Sequence, residues 1–121
     1  MGGLQVLVIE DDPDFQLLFS ETLQWAGHSV QVADHGQQAL DLLANELRPQ
    51  LILLDMAMPV MDGFTFLGRK RTIPELTDIP VIVISATAEP PIEGAFCVLS
   101  KPLDPIDLIA TIKLHFTTLE S

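Results

Sequence analysis

The sequence holds a single cysteine in 121 residues, which excludes a disulfide framework within the chain and suits a reducing compartment such as the cytosol. Basic residues are scarce as well: 6 Lys and Arg stand against 17 Asp and Glu, for a formal net charge of −11. Sequence-blind binding to nucleic acid or to an anionic membrane needs the opposite balance, so neither partner is expected. No apolar run approaches the roughly 18 residues of a membrane span. Met1-Gly2-Gly3-Leu4 lacks a basic stretch, and the apolar segment after it stops at Glu10, too short for a signal peptide. Internal repeats, low-complexity tracts and linker-like stretches are missing too. What is present is a 48% share of hydrophobic residues, enough for a core. The expectation is one acidic, soluble, cytoplasmic domain over 1–121, with its core at about 5–117.

Short apolar runs alternate with amphipathic stretches. Gln5-Val6-Leu7-Val8-Ile9 stops at a cluster of acids and reads as a buried strand. Asp12-Pro13 follows as an N-cap with proline at the first helical position, and Phe15, Leu18, Phe19, Leu23 and Ala26 share one helical face that Gly27 ends. A second strand over 29–33 precedes a helix over 36–47, and Leu51-Ile52-Leu53-Leu54 runs into Asp55 as a third strand. Asp62-Gly63 opens a helix to about Arg71, in which Gly68 costs on the order of 1 kcal/mol against alanine. A fourth strand follows Pro80, a fifth covers 96–99, and Asp104-Pro105 caps a last helix carrying Leu108, Ile109, Ile112 and Phe116. Strands without polar alternation, separated by helices, predict an α/β doubly wound sandwich on a five-stranded parallel sheet.

In such sheets the functional site lies at the carboxyl ends of the strands. Those ends carry Glu10, Asp11 and Asp12, then Asp55, Ser85 and Lys101. Crowded carboxylates repel, and a hard divalent cation with oxygen ligands relieves them; Mg²⁺ suits one or two carboxylates plus waters. A remaining carboxylate can act as a nucleophile toward a phosphoryl group, with lysine and hydroxyl binding the transferred oxygens.

From about Gln5 to Phe116 the chain resembles the receiver domain of two-component response regulators, a flavodoxin-like (βα)5 fold. The motifs that carry the resemblance are Val8-Ile9-Glu10-Asp11-Asp12-Pro13, the run from Leu54-Asp55 to Asp62-Gly63, Ile84-Ser85-Ala86 and Lys101-Pro102-Leu103. It implies Asp55 as phosphoacceptor for a phosphoryl group from a sensor histidine kinase or phosphotransfer protein. It also implies Mg²⁺ on Glu10, Asp11, Asp55 and the backbone carbonyl of Ala57, contacts from Ser85 and Lys101 to the phosphoryl oxygens, and a cis Lys101-Pro102 bond. Beyond self-catalysed transfer and hydrolysis no enzyme activity is expected. A downstream effector protein is the expected output partner. The end of the sequence at Ser121 leaves a stand-alone receiver, a relay shuttle and a piece of a longer protein open.

Three features depart from the family pattern. Val98 stands where an aromatic switch residue is usual, and Phe96, two positions away and of the same strand parity, is expected to substitute in part. Ala57 replaces a polar residue that bears on phosphoryl lifetime. The crossover over 86–95 has ten residues with Pro90-Pro91 central, so the fourth helix is expected to be absent or one turn long, and the chain to stay monomeric.

Other residues have plainer readings. Asp12 and Asp104 read as helix caps, Asp62-Gly63 as a turn whose aspartate stays off the metal, His28, His35 and His115 as surface or rim histidines, and Cys97 as a small buried hydrophobe. Trp25 reads as core or rim packing, and Arg69-Lys70-Arg71 as a solvated helix end. The alternatives are a pseudo-receiver that binds protein constitutively, and an enzyme. A nucleotide or flavin site would need a Gly-rich loop where this chain has three acids. An aspartyl phosphatase would need an aspartate where it has Ala57.

Overall fold

A computed structural model describes residues 3–45, 47–56, 61–86 and 92–116. The elements run β1 (Gln5–Ile9), α1 (Pro13–Trp25), β2 (Ser29–Ala33), α2 (Gly36–Ala44), β3 (Leu51–Asp55), α3 (Gly63–Arg71), a 3₁₀ turn (Pro74–Leu76), β4 (Val81–Ser85), β5 (Cys97–Ser100) and α4 (Pro105–Phe116). All four strand pairings are parallel, in the order β2-β1-β3-β4-β5. The doubly wound architecture expected from the strand and helix pattern is therefore the observed one.

Side chains alternate across the strands and so build two cores. Leu7, Ile9, Ile52, Leu54, Val81 and Val83 pack with Ala39, Leu40 and Leu43 of α2 and with Phe66 and Leu67 of α3. Val6, Val8, Leu51, Leu53, Ile82 and Ile84 pack on the other face with Phe19 and Leu23 of α1 and Leu108 and Ile112 of α4. β1, β3 and β4 are buried on both faces, which is why their sequences show no polar alternation. β2 lies at an edge and does alternate, with Ser29 and Gln31 exposed.

Each helix start has a side-chain cap. Asp12 Oδ1 accepts from Asp14 N at 2.8 Å, Asp62 Oδ1 from Thr65 N at 2.8 Å, and Asp104 Oδ1 from Ile106 N at 2.9 Å. His35 Nδ1 does the same for α2, accepting from Gln38 N at 3.1 Å. Gly27, at φ 98°, ends α1 in the left-handed conformation that favours glycine.

Several expectations need correction. α2 ends at Ala44 rather than 47: Asn45, at φ −92° and ψ 30°, leaves helical geometry, Leu47 N reaches back to the Leu42 carbonyl at 3.2 Å, and Arg48 Nη1 donates to the Leu43 carbonyl at 2.6 Å. Trp25 is 83% exposed; α1 buries only Phe19 and Leu23, a narrower stripe than the five apolar residues suggest. Lys70 is no solvated helix end. It is buried, its Nζ donates to the Thr77 carbonyl at 3.3 Å, and burial pulls its pKa below the ordinary lysine value against the opposing charge of Asp78. His28 is buried as well, and its Nδ1 accepts from Leu4 N at 3.0 Å. Cys97 is half-buried.

Between β4 and β5, the described residues Ala86 and 92–96 contain a turn closed by Ala95 N on the Ile92 carbonyl and no helix. Pro90 and Pro91, on which the expected loss of that helix rests, lie outside the described residues.

Candidate functional site

β1 and β3 are neighbours although β2 intervenes in sequence, so the strand order reverses between them. That reversal opens the crevice in which doubly wound sheets place their ligands. Ile9 pairs with Leu54, which brings the following residues, Glu10 and Asp55, side by side at the carboxyl edge. Asp11, on the loop to α1, completes the group: one carboxylate oxygen from each of Glu10, Asp11 and Asp55 lies within 4.8 Å of the others. Glu10 and Asp55 are buried and Asp11 is exposed.

β4 supplies the opposite wall. Ser85 ends it, 5% exposed, and its carbonyl accepts from Lys101 N at 3.0 Å. This bond continues the β4–β5 ladder by one residue and delivers the lysine to the site. Lys101 Nζ then meets Asp55 Oδ1 at 3.0 Å, a charge-assisted contact between a largely shielded ammonium and a buried carboxylate. The Lys101-Pro102 peptide bond that follows is cis, as the family resemblance implied.

Glu10 is buried and only partly hydrogen-bonded. Its Oε2 accepts from Asp12 N at 3.2 Å, whereas Oε1 is buried and has no hydrogen-bond donor among the described residues. Desolvation, helped by the Asp55 charge and opposed by the Asp12 N–H and by Lys101, pushes its pKa up to about 7. Three carboxylates against one ammonium leave two negative charges if all ionise, and one divalent cation cancels them. A buried, undonated carboxylate oxygen beside two more carboxylates is a donor set of hard oxygens, which fits Mg²⁺.

Glu10, Asp11, Asp55, Ser85 and Lys101 are thus brought together at one edge, while Ala57 lies outside the described residues. Asp12, Asp62 and Asp104 stay at their helix caps. Gln16 went unnoticed in the sequence, one turn after the Asp12 cap; its Nε2 donates to the Glu10 carbonyl at 2.5 Å and to Asp34 Oδ1 at 2.7 Å, tying α1 to the site. Phe96 does not take the place of Val98. Its N still donates to the Val81 carbonyl at 2.7 Å, but it bends out just before β5 and its ring packs 5.3 Å from His115 and 5.1 Å from Phe116 on the α4 side. Val98 packs with the α2–α3 core on the other face.

Residues 6–113 match the family model of the response regulator receiver domain. The chain is 33% identical over 121 residues to sporulation initiation phosphotransferase F of Bacillus subtilis, covering 95% of each. It is 36% identical over 115 residues to the DNA-binding dual master transcriptional regulator RpaA of Synechocystis, covering 90% of this chain but only 47% of that relative. Among solved structures it is similar to the receiver domain of sensor histidine kinase PA1611 of Pseudomonas aeruginosa, which has a magnesium ion coordinated in its active-site cleft. The TM-score is 0.81 at 26% identity, over 93% of this chain and 96% of that one. No helix among the described residues is long and apolar enough to cross a membrane. With the family model matching nearly its whole length and a sheet of the same order behind the match, the chain belongs to the response regulator receiver domains of two-component systems.

Proposed function

We propose that this receiver takes a phosphoryl group onto Asp55 from the phosphohistidine of a sensor kinase or phosphotransfer protein in the cytoplasm, and passes the change to an effector protein. The observation that carries the reading is the Lys101 Nζ–Asp55 Oδ1 contact of 3.0 Å beside the carboxylates of Glu10 and Asp11. An Asp55 carboxylate oxygen forms the new O–P bond as the donor's N–P bond breaks, and the imidazole leaves with the electron pair of that bond. The Lys101 ammonium shifts from carboxylate to phosphoryl oxygen and offsets its charge, and the Ser85 hydroxyl donates to a second oxygen.

Glu10, Asp11, Asp55 and the backbone carbonyl of Ala57 would hold Mg²⁺. When bound, the ion supplies charge neutralisation at the phosphoryl oxygens. Turnover of a separate substrate has no place in this scheme; the chain acts on its own Asp55.

The test is incubation with acetyl phosphate in millimolar Mg²⁺ or in chelator, followed by intact-mass measurement. One acid-stable, base-labile phosphoryl adduct is expected with Mg²⁺, absent in chelator and in Asp55→Asn. An adduct that persists in Asp55→Asn overturns the assignment, and no adduct at all in the native chain leaves the pseudo-receiver.

A further inference from the structure

Phe15 lies in the first turn of α1 and Lys101 in the loop between β5 and α4, yet Lys101 Nζ sits over the Phe15 ring, 5.4 Å from its centroid. That is within the range of a cation–π contact. The same Nζ is 3.0 Å from Asp55 Oδ1, so the ammonium is held between a ring and a carboxylate. The ring is itself anchored: it stacks on Phe19 with centroids 5.9 Å apart and planes at 22°, and Phe19 is 4% exposed within the α1–α4 core. The Asp12 cap and Pro13 fix the entry of α1 and with it the start of this chain of contacts.

We infer that Phe15 is a positioning residue for Lys101, keeping its ammonium at the acceptor carboxylate; the role rests on the phosphoacceptor reading above. Lysine has a flexible four-carbon stem and a strongly hydrated head, so a single carboxylate contact holds it loosely. A second carboxylate would hold it better but would add charge to a site that already crowds three. An aromatic face attracts the cation without adding charge, and by displacing water it strengthens the ammonium's attraction to nearby oxygens. The ring contact also does not depend on which oxygen the ammonium meets. It persists as Lys101 passes from the Asp55 carboxylate to a phosphoryl oxygen.

Two variants separate the ring from its bulk: Phe15→Leu keeps apolar volume without a ring, and Phe15→Tyr keeps the ring. In the metal-free, unphosphorylated chain, the Lys101 Hε protons are read by NMR, assigned by their loss in Lys101→Met. An upfield ring-current shift is expected in the native protein and in Phe15→Tyr, and its loss in Phe15→Leu. Phosphorylation by acetyl phosphate, a small donor that needs no docking surface, is then expected to slow about fivefold in Phe15→Leu at saturating Mg²⁺. Phe15→Tyr restores the rate, and Mg²⁺ affinity by calorimetry stays within about twofold across all three. Absence of the native ring-current shift overturns the inference, as does a Phe15→Leu rate equal to the native rate. A native chain that shows the shift but takes no phosphoryl group overturns the phosphoacceptor reading, and the positioning role falls with it.

Discussion

Glu10 titrates at about 7 in the folded chain instead of its ordinary 4.5, because burial and the Asp55 charge disfavour its ionised form. A carboxyl whose folded pKa is raised adds stability in full below its unfolded pKa and loses that contribution as pH rises through the folded value. The metal-free protein therefore loses stability between about pH 4.5 and pH 7 on account of this residue. Glu10→Gln keeps the shape and removes the charge. Its expected effect at pH 8 in chelator is a gain on the order of 1–3 kcal/mol in urea denaturation. Added Mg²⁺ stabilises this variant far less than the native chain, and a variant less stable than the native chain in chelator at pH 8 contradicts this account. Proton and cation would compete for the same carboxylate, so the Mg²⁺ affinity of the native chain, measured by calorimetry, is expected to weaken as pH falls below about 7.

Among the elements, α3 carries a correctable weakness. Nothing lies within 4 Å of a Cβ built on Gly68, so Gly68→Ala adds helix propensity without a clash and raises stability by about 1 kcal/mol in thermal or denaturant unfolding. A second prediction concerns the joint between β1 and β2. His28 Nδ1 accepts from Leu4 N, so the imidazole must be neutral, and burial lowers its pKa below 6.5. A depressed folded pKa gives stability that is present above pH 6.5 and lost as pH falls through the folded value. His28→Asn keeps an acceptor there, and denaturation curves between pH 7 and pH 5 are expected to show less acid loss than the native chain. The elements themselves were largely legible in the sequence, since the caps at Asp12 and Asp104, the Asp62-Gly63 turn and the apolar runs are local signals; that Asp62 also caps α3 shows only in the fold. The misread residues depend on packing that no local pattern carries. Lys70 is covered by the turn after its helix, and Trp25 points away from a core that Phe19 and Leu23 already fill. The five site residues could be located because strand ends in a parallel sheet converge, whereas Gln16 reaches the site through a turn of helix.

For the molecule as a whole, a cation bound only by the folded state stabilises it by mass action. Millimolar Mg²⁺, at tens of dissociation constants, is expected to add about 2 kcal/mol over chelator and to raise the melting temperature, and beryllofluoride to raise it further. No difference between Mg²⁺ and chelator contradicts a working metal site. Light scattering with and without beryllofluoride and Mg²⁺ is expected to give a monomer mass in both cases. That expectation rests on the length of the β4–β5 connection, ten residues over 86–95, which leaves little chain for a surface that a second copy could cover. A dimer formed only with the phosphoryl mimic contradicts that expectation.

The parallel pairing of every strand has a kinetic consequence. None of these pairs can start as a hairpin, and Glu10 meets Asp55 only after the 44 residues between them have closed along the β1–β3 seam. The repulsion between Asp55 and the Glu10-Asp11 pair is therefore not felt in the early, collapsed chain, where the two are still far apart along an unpaired backbone. It arises only once Leu7, Ile9, Ile52 and Leu54 have locked their part of the sheet. The order of assembly lets the chain fold to a centre that would oppose its own formation if it had to nucleate it.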